Sequence, residues 1–363
     1  MSSVVVTGVA GSLGRRVARL LVARADVDRV VGFDAAPEPA LPPGVSYVRA
    51  DLAGDAGAGA ALAEAVGRSD GVLHLAWRAV EGRRPSRREH LDVAAANHRV
   101  ARRVLAAVES ASPASLVHLS SATVYGAWAD NPVPLSESAT LRPNPELSFA
   151  SEKAATELMV ADVAREHPEV AVAVLRPAVT VGFPDRPLYR ALGGTTGPRA
   201  GDAGLARPVQ YLHVDDLAEA VVLAWSARLR GVYNVAPESW IPEATARDLV
   251  GGLAKVSVPP RVVGPVWELG WRLAGQGVPR QARPYALHPW VVAADRLRAA
   301  GWSARYTSEE ALVATDVRAH WDDLPPPRRQ RYTLAGTATA AGVLAAGMSG
   351  LGFALLRRRR PGH

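Results

Sequence analysis

The sequence predicts an α/β fold, a doubly wound parallel sheet with helices on both faces, and three observations carry that prediction. Short apolar runs alternate with amphipathic stretches over the first two-thirds of the 363 residues. A glycine-rich turn, Thr7-Gly8-Val9-Ala10-Gly11-Ser12-Leu13-Gly14, follows the first run and opens a helical pattern. An acid, Asp34, closes the second run, 20 residues past Gly14.

Val4–Val6, Val30–Phe33, Val45–Val48, Val72–Leu75, Leu116–Leu119 and Val170–Leu175 read as strands. Between them Val17, Leu20 and Leu21 have helical spacing, as do Val100, Val104 and Val108, and Ala150 to Glu166 reads as a further helix. A polar, proline-bearing loop from Ala129 to Pro145 precedes it. Past Gly182 the texture turns glycine- and proline-rich, with a strand-like Val209–Val214, which predicts a smaller region built onto the sheet. The division expected is a unit over 1–327 and a tail over 328–363. Within the unit, the nucleotide-binding core takes about 1–180 and 207–235, and the substrate region about 181–206 and 236–320.

The chain has no cysteine, which removes disulfides, thiolate metal sites and cysteine nucleophiles together, and no metal site is assigned. Met1-Ser2-Ser3 runs straight into Val4, without the basic and apolar regions of a signal peptide. The formal charge of +7 points toward nucleic acid only until it is located. Arg328, Arg329, Arg331 and Arg357 to Arg360 carry seven positive charges with no acid beyond 327, so residues 1–327 sum to zero. A neutral body lacks the broad positive face that phosphate backbones require, and no nucleic-acid partner is expected.

In a strand–turn–helix setting, glycines serve where the backbone bends, where it approaches a pyrophosphate, and where helix packs on strand. The helix N-terminus then presents free amides and a positive dipole end to phosphates. Gly8, Gly11, Ser12, Leu13 and Gly14 are therefore assigned to a dinucleotide cofactor. Asp34 can accept from both ribose hydroxyls and repels a 2′-phosphate, which selects NAD over NADP.

The Gly8-x-x-Gly11-x-x-Gly14 spacing resembles the extended branch of the short-chain dehydrogenase/reductase superfamily, the NAD-dependent epimerase/dehydratase family. Later motifs follow in order: Asp51-Leu52, His74-Leu75-Ala76, Asn97, Ser120 to Gly126, Arg176-Pro177, His213 to Asp216 and Val232 to Val235. The resemblance implies a Rossmann core with Asp51 and Leu52 at the adenine, Leu75 and Ala76 beneath the adenosine, and Asn97 as a helix-distorting residue nearby. Trp77 stands where a small residue is usual.

The resemblance also implies a tyrosine, a lysine four residues later and a hydroxyl on the preceding strand as the chemical residues. The lysine is Lys153, which would hold the nicotinamide ribose; an ion pair with Glu157, one helical turn on, is the alternative. The hydroxyl is Ser121, with Thr123 as a second. The tyrosine position holds Phe149, which keeps the ring and loses the group that transfers a proton. Tyr125, Ser121 through water, or a substrate group could replace it, the enzyme could be slow, or the protein could bind NAD without catalysis. Arg78, Arg83, Arg84, Arg87 and Arg88 crowd one loop, read as a solvated loop in preference to an anion site. Trp267, Trp271 and Trp290 are read as core, and Thr307-x-x-Glu310 as a capping box.

Thr333 to Leu356 is 24 residues without a charge, bracketed by arginines and long enough to span a hydrocarbon core. Ala338, Gly342, Ala346, Gly350 and Ala354 set small residues along one face. The expectation is a cytoplasmic body anchored by a C-terminal transmembrane helix. The function implied is an NAD-dependent epimerase, dehydratase or dehydrogenase acting on a nucleotide sugar or another alcohol or carbonyl substrate. The alternative is a catalytically silent, membrane-tethered NAD(H) sensor or scaffold. A homodimer is left open.

Overall fold

Val4, Val5 and Val6 are wholly buried at the centre of a seven-stranded sheet in the computed structural model. The structure describes residues 2–37, 40–80, 86–183, 191–192, 199–200, 207–250, 257–258, 260–274 and 278–314. The strands are β1 (Ser2–Thr7), β2 (Val27–Asp34), β3 (Val45–Arg49), β4 (Gly71–His74), β5 (Ser115–Leu119), β6 (Ala171–Pro177) and a last strand, Gly231–Val235. Every pairing among them is parallel, in the spatial order Gly231–Val235, β6, β5, β4, β1, β2, β3. All residues of β4 and β6 are buried, as a parallel strand covered on both faces requires.

The chain order reverses at β1, whose neighbours are β2 on one side and β4 on the other. In an open parallel sheet the crevice at such a switch point, beyond the carboxyl ends of the strands, is where ligands bind. Thr7 and His74 are paired there.

Four helices cover the first part of the sheet: α1 (Ser12–Val22), α2 (Ala58–Val66), α3 (Arg87–Ala111) and α4 (Ser148–Glu166). The sheet-facing stripe of α1 is Leu13, Val17, Ala18 and Leu21, all buried at helical spacing. At the start of α3, Ser86 accepts from the Glu89 amide at 3.2 Å, while the Glu89 carboxylate accepts from the Ser86 amide at 2.5 Å. This capping box was not anticipated from the sequence. The anticipated one is present: Thr307 Oγ1 accepts from the Glu310 amide and Glu310 accepts from the Thr307 amide, opening helix Ser308–Ala314.

The strand-like Val209–Val214 resolves into Pro208–Val209, Tyr211–His213 and a helix, Val214–Ser226, that begins on its last residue. The side chain of His213 accepts the Asp215 amide there, so a polar cap overrides the β-branched run. Trp267, Trp271 and Trp290 are buried, as expected. Tyr285 ties this C-terminal region to the sheet: its hydroxyl donates to the Thr123 carbonyl at 2.8 Å, and its ring meets Trp290 edge-on.

Residues Met1–Asp316 form one compact unit. No helix among the described residues is long and apolar enough to cross a membrane. The expected span at 333–356 lies outside the described residues, as do Arg83 and Arg84 and most of 181–206.

Candidate functional site

A cleft of about 560 Å³ opens over the switch point. Every residue that the sequence assigns to the cofactor lines it, from the Gly8–Gly14 turn and Asp34 to Asp51, Asn97 and Lys153.

Two glycines leave no choice of residue. Gly8 has φ +77°, and a Cβ on it would lie 2.7 Å from the Ala76 backbone. A Cβ on Gly14 would lie 2.2 Å from the Gly8 carbonyl oxygen. The turn is thus folded against β4's continuation and against itself. Gly11 precedes α1, whose first amides face the cleft with no side-chain cap, so they are available to an anion.

The carboxylate of Asp34 is held by two backbone amides, Ala10 at 3.0 Å and Ala36 at 3.1 Å, one on each oxygen. The remaining lone pairs are available to a diol. Arg15 lines the same end of the cleft. Sequence reasoning missed it, although its place directly after Gly14 was the available signal. Asp51 accepts from the Ala53 amide at 2.9 Å and from Arg78 at 3.2 Å. Desolvation pushes its carboxyl upward, and these two partners together hold it below the usual range. Asn97 braces the wall: it exchanges hydrogen bonds with both backbone groups of Arg78 at 2.9 Å and donates to Glu152 at 3.3 Å. Its amide therefore holds the backbone at Arg78, just past β4.

At the other end, Ser121, Phe149 and Lys153 meet in the cleft, together with Trp77. Phe149 and Lys153 stand one turn apart on α4. The Ser121 Oγ accepts from the amide of Thr123 at 3.2 Å and from its hydroxyl at 3.0 Å. Both acceptor positions are thereby filled, which leaves the Ser121 proton free to donate to an incoming oxygen. Thr123 itself is buried and does not line the cleft. Its hydroxyl, expected as a second one for substrate, donates to Ser121 here.

Lys153 is 4% exposed, and its Nζ donates to the Leu119 carbonyl at 2.7 Å. Burial drives its pKa down to about 7, against the opposing fields of Glu157 and Glu152. The ion pair considered between Lys153 and Glu157 is not formed. Glu157 is buried and bonded to Arg176 at 2.5, 3.0 and 3.1 Å and to the Ser120 hydroxyl. Beneath Lys153, burial keeps His74 and His118 neutral, with His74 pushed down to about 3. His74 is bonded to the Thr7 hydroxyl at 2.9 Å.

Tyr125 cannot stand in for the missing tyrosine. It has no exposure, its hydroxyl donates to Asn234 at 2.7 Å and accepts from Arg176 at 2.8 Å, and burial raises its pKa.

Residues 4–192 match the model of the NAD-dependent epimerase/dehydratase family. Among solved structures, the chain is similar to UDP-glucose 4-epimerase from Thermotoga maritima with UDP-glucose, at 20% identity over 92% of this chain and 99% of that one, with TM-score 0.64. It is similar to MoeE5 in complex with UDP-glucuronic acid and NAD, at 25% identity over 87% and 97%, with TM-score 0.63. A third is a tyrosine-to-phenylalanine mutant of UDP-glucuronic acid 4-epimerase from Bacillus cereus, in complex with a fluorinated UDP sugar and NAD, at 18% identity over 86% and 97%, with TM-score 0.62. A comparison with curated proteins finds no match.

Proposed function

This chain belongs to the NAD-dependent epimerase/dehydratase family, and from that premise we propose that it holds NAD in the cleft and acts on a nucleotide sugar or another alcohol or carbonyl compound. The observation that carries the cofactor is the paired constraint of a glycine turn that admits no Cβ and an acid fixed by two amides. The residues fit the group: Gly8 to Gly14 would hold the pyrophosphate, Asp34 the adenosine ribose, and Asp51 and Leu52 the adenine. NAD supplies a hydride acceptor when bound. Ser121 would orient the substrate oxygen through its free proton, and Lys153, once clear of the Trp77 indole, would hold the nicotinamide ribose. The substrate class follows the solved neighbours, several of which hold UDP sugars.

A second reading has its own observation. Phe149 offers no proton-transferring group, and Tyr125 is locked away from the cleft. A catalytically silent NAD(H) sensor or scaffold would have this site. The Bacillus cereus neighbour, a phenylalanine mutant, is described with both NAD and a sugar nucleotide bound, so ligand occupancy and a lost phenol are compatible in that protein.

The cofactor reading is tested by fluorescence titration with NADH and NADPH. Wild type is expected to prefer NADH by on the order of 10²-fold, since a 2′-phosphate would face the Asp34 carboxylate. Asp34→Asn should narrow that gap, because it removes the charge that repels the 2′-phosphate. Equal or tighter NADPH binding by wild type would sink the assignment.

The body is proposed to be cytoplasmic and anchored through 333–356, on the strength of 24 uncharged residues flanked by arginines. Full-length protein should sediment with membranes and a chain ending at 327 should not. Recovery of the full-length protein wholly in the soluble fraction would end that reading.

A further inference from the structure

Trp77 lies across the lysine that the family resemblance assigns to the nicotinamide ribose. The Lys153 ammonium sits 3.9 Å from the centroid of the indole. The Phe149 ring meets the same indole edge-on, with centroids 5.6 Å apart and planes at 88°. Nζ also donates to the Leu119 carbonyl. The ammonium is enclosed between a carbonyl and an aromatic face, and such an attraction strengthens as water is excluded.

We propose that Trp77 determines ligand selectivity in this cleft. With the indole over Lys153, adenine nucleotides that end at the diphosphate or its ribose, such as ADP and ADP-ribose, bind about as well as NAD. The inference rests on the cofactor reading above and adds to it which part of the dinucleotide the cleft recognises. The adenosine end is built on β1, α1 and β2, and its glycine and Asp34 contacts do not involve Trp77. The Ala76 backbone abuts Gly8, and its amide donates to the Thr7 hydroxyl at 3.4 Å. Uncovering Lys153 is therefore a rotation of the Trp77 side chain, with the backbone beside it held in place. Phe149 supports the covered arrangement through its edge contact. In its place, a phenol would bring a polar atom to the same corner.

Calorimetric titration of the full chain with NAD, ADP-ribose and ADP tests this. For wild type, the NAD and ADP dissociation constants should lie within about threefold of each other. Trp77→Ala frees the ammonium, and NAD affinity should rise by roughly 10-fold while ADP affinity stays within about twofold. Lys153→Met in the presence of Trp77 should leave the NAD-to-ADP ratio unchanged, and the double variant should lose the gain. This second variant keeps the test decisive if Trp77→Ala folds poorly. The proposal is overturned if wild type binds NAD more than about 30-fold tighter than ADP, or if Lys153→Met alone weakens NAD by more than about 10-fold. It is also overturned if Trp77→Ala leaves the ratio where it was. The two readings fail separately: absence of ADP and NAD binding defeats the cofactor assignment, whereas ADP binding with an unaltered ratio defeats only the part given to Trp77.

Discussion

Phe149→Tyr is expected to raise hydride transfer over wild type by on the order of 10²–10⁴-fold, the usual contribution of a positioned acid–base group. The substitution adds one oxygen to a ring that already lines the cleft, one turn before Lys153 on α4. The buried ammonium is the group whose field would lower the new phenol's pKa. Ser121 already presents a free proton beside it. Wild type should therefore bind NAD and turn over little. The assay is NADH formation or consumption across a panel of UDP sugars and hydrophobic alcohols. Phe149→Tyr/Lys153→Ala should lose the gain, and Phe149→Tyr/Trp77→Ala should exceed the single variant. Robust wild-type turnover that survives Lys153→Ala would refute both the silent reading and the placement of the site.

Glu157→Ala is expected to destabilise the fold by about 3–5 kcal/mol, because it strips the carboxylate from a buried ion pair and leaves a charge behind. Arg176 gives Glu157 three contacts, at 2.5, 3.0 and 3.1 Å, and both side chains are nearly inaccessible, at 6% and 5%. The consequences run along a chain of contacts. Arg176 also donates to the Tyr125 hydroxyl, which donates to Asn234, so one pair fixes β6, the turn after β5 and the strand Gly231–Val235. Thermal denaturation should fall by roughly 5–15 °C. Glu157→Leu/Arg176→Met should recover part of the loss, since it removes the uncompensated charge, while the buried Ser120 hydroxyl still loses its acceptor and the Tyr125 hydroxyl its donor. A single variant within about 1 kcal/mol of wild type would show that the pair carries little. Loss of Glu157 also removes a field that raises the Lys153 pKa, so the amine would be neutral over a wider pH range.

Most of the sheet was legible in the sequence because its strands are short valine- and leucine-rich runs that a parallel core demands: each of the six expected strands overlaps an observed one within a few residues, while the seventh, Gly231–Val235, was not read as a strand. The glycine turn and Asp34 were legible for a related reason. Their arrangement is set by backbone geometry over a span of 27 residues, from Gly8 to Asp34, and local spacing encodes it. Contacts between distant residues were not. Nothing in periodicity brings Glu157 to Arg176 instead of Lys153, buries the Tyr125 hydroxyl against Asn234, or turns Thr123 away from the cleft. Trp77 was conspicuous as a large residue where a small one is usual. Only the folded arrangement puts its indole against Lys153. Arg15 was within reach of the same local spacing, since it follows the last glycine of the turn.

The cleft at the β1–β4 switch point is proposed to hold NAD by its adenosine and pyrophosphate half. Calorimetric titration of the full chain with NAD tests it most directly, run beside Gly14→Ala, whose methyl would fall 2.2 Å from the Gly8 carbonyl oxygen. The predicted result is one saturable site per wild-type chain, with its heat abolished in a Gly14→Ala protein that still shows the helical and strand circular dichroism of the wild type. Absence of saturable binding in the wild type, or binding unchanged in folded Gly14→Ala, would contradict it.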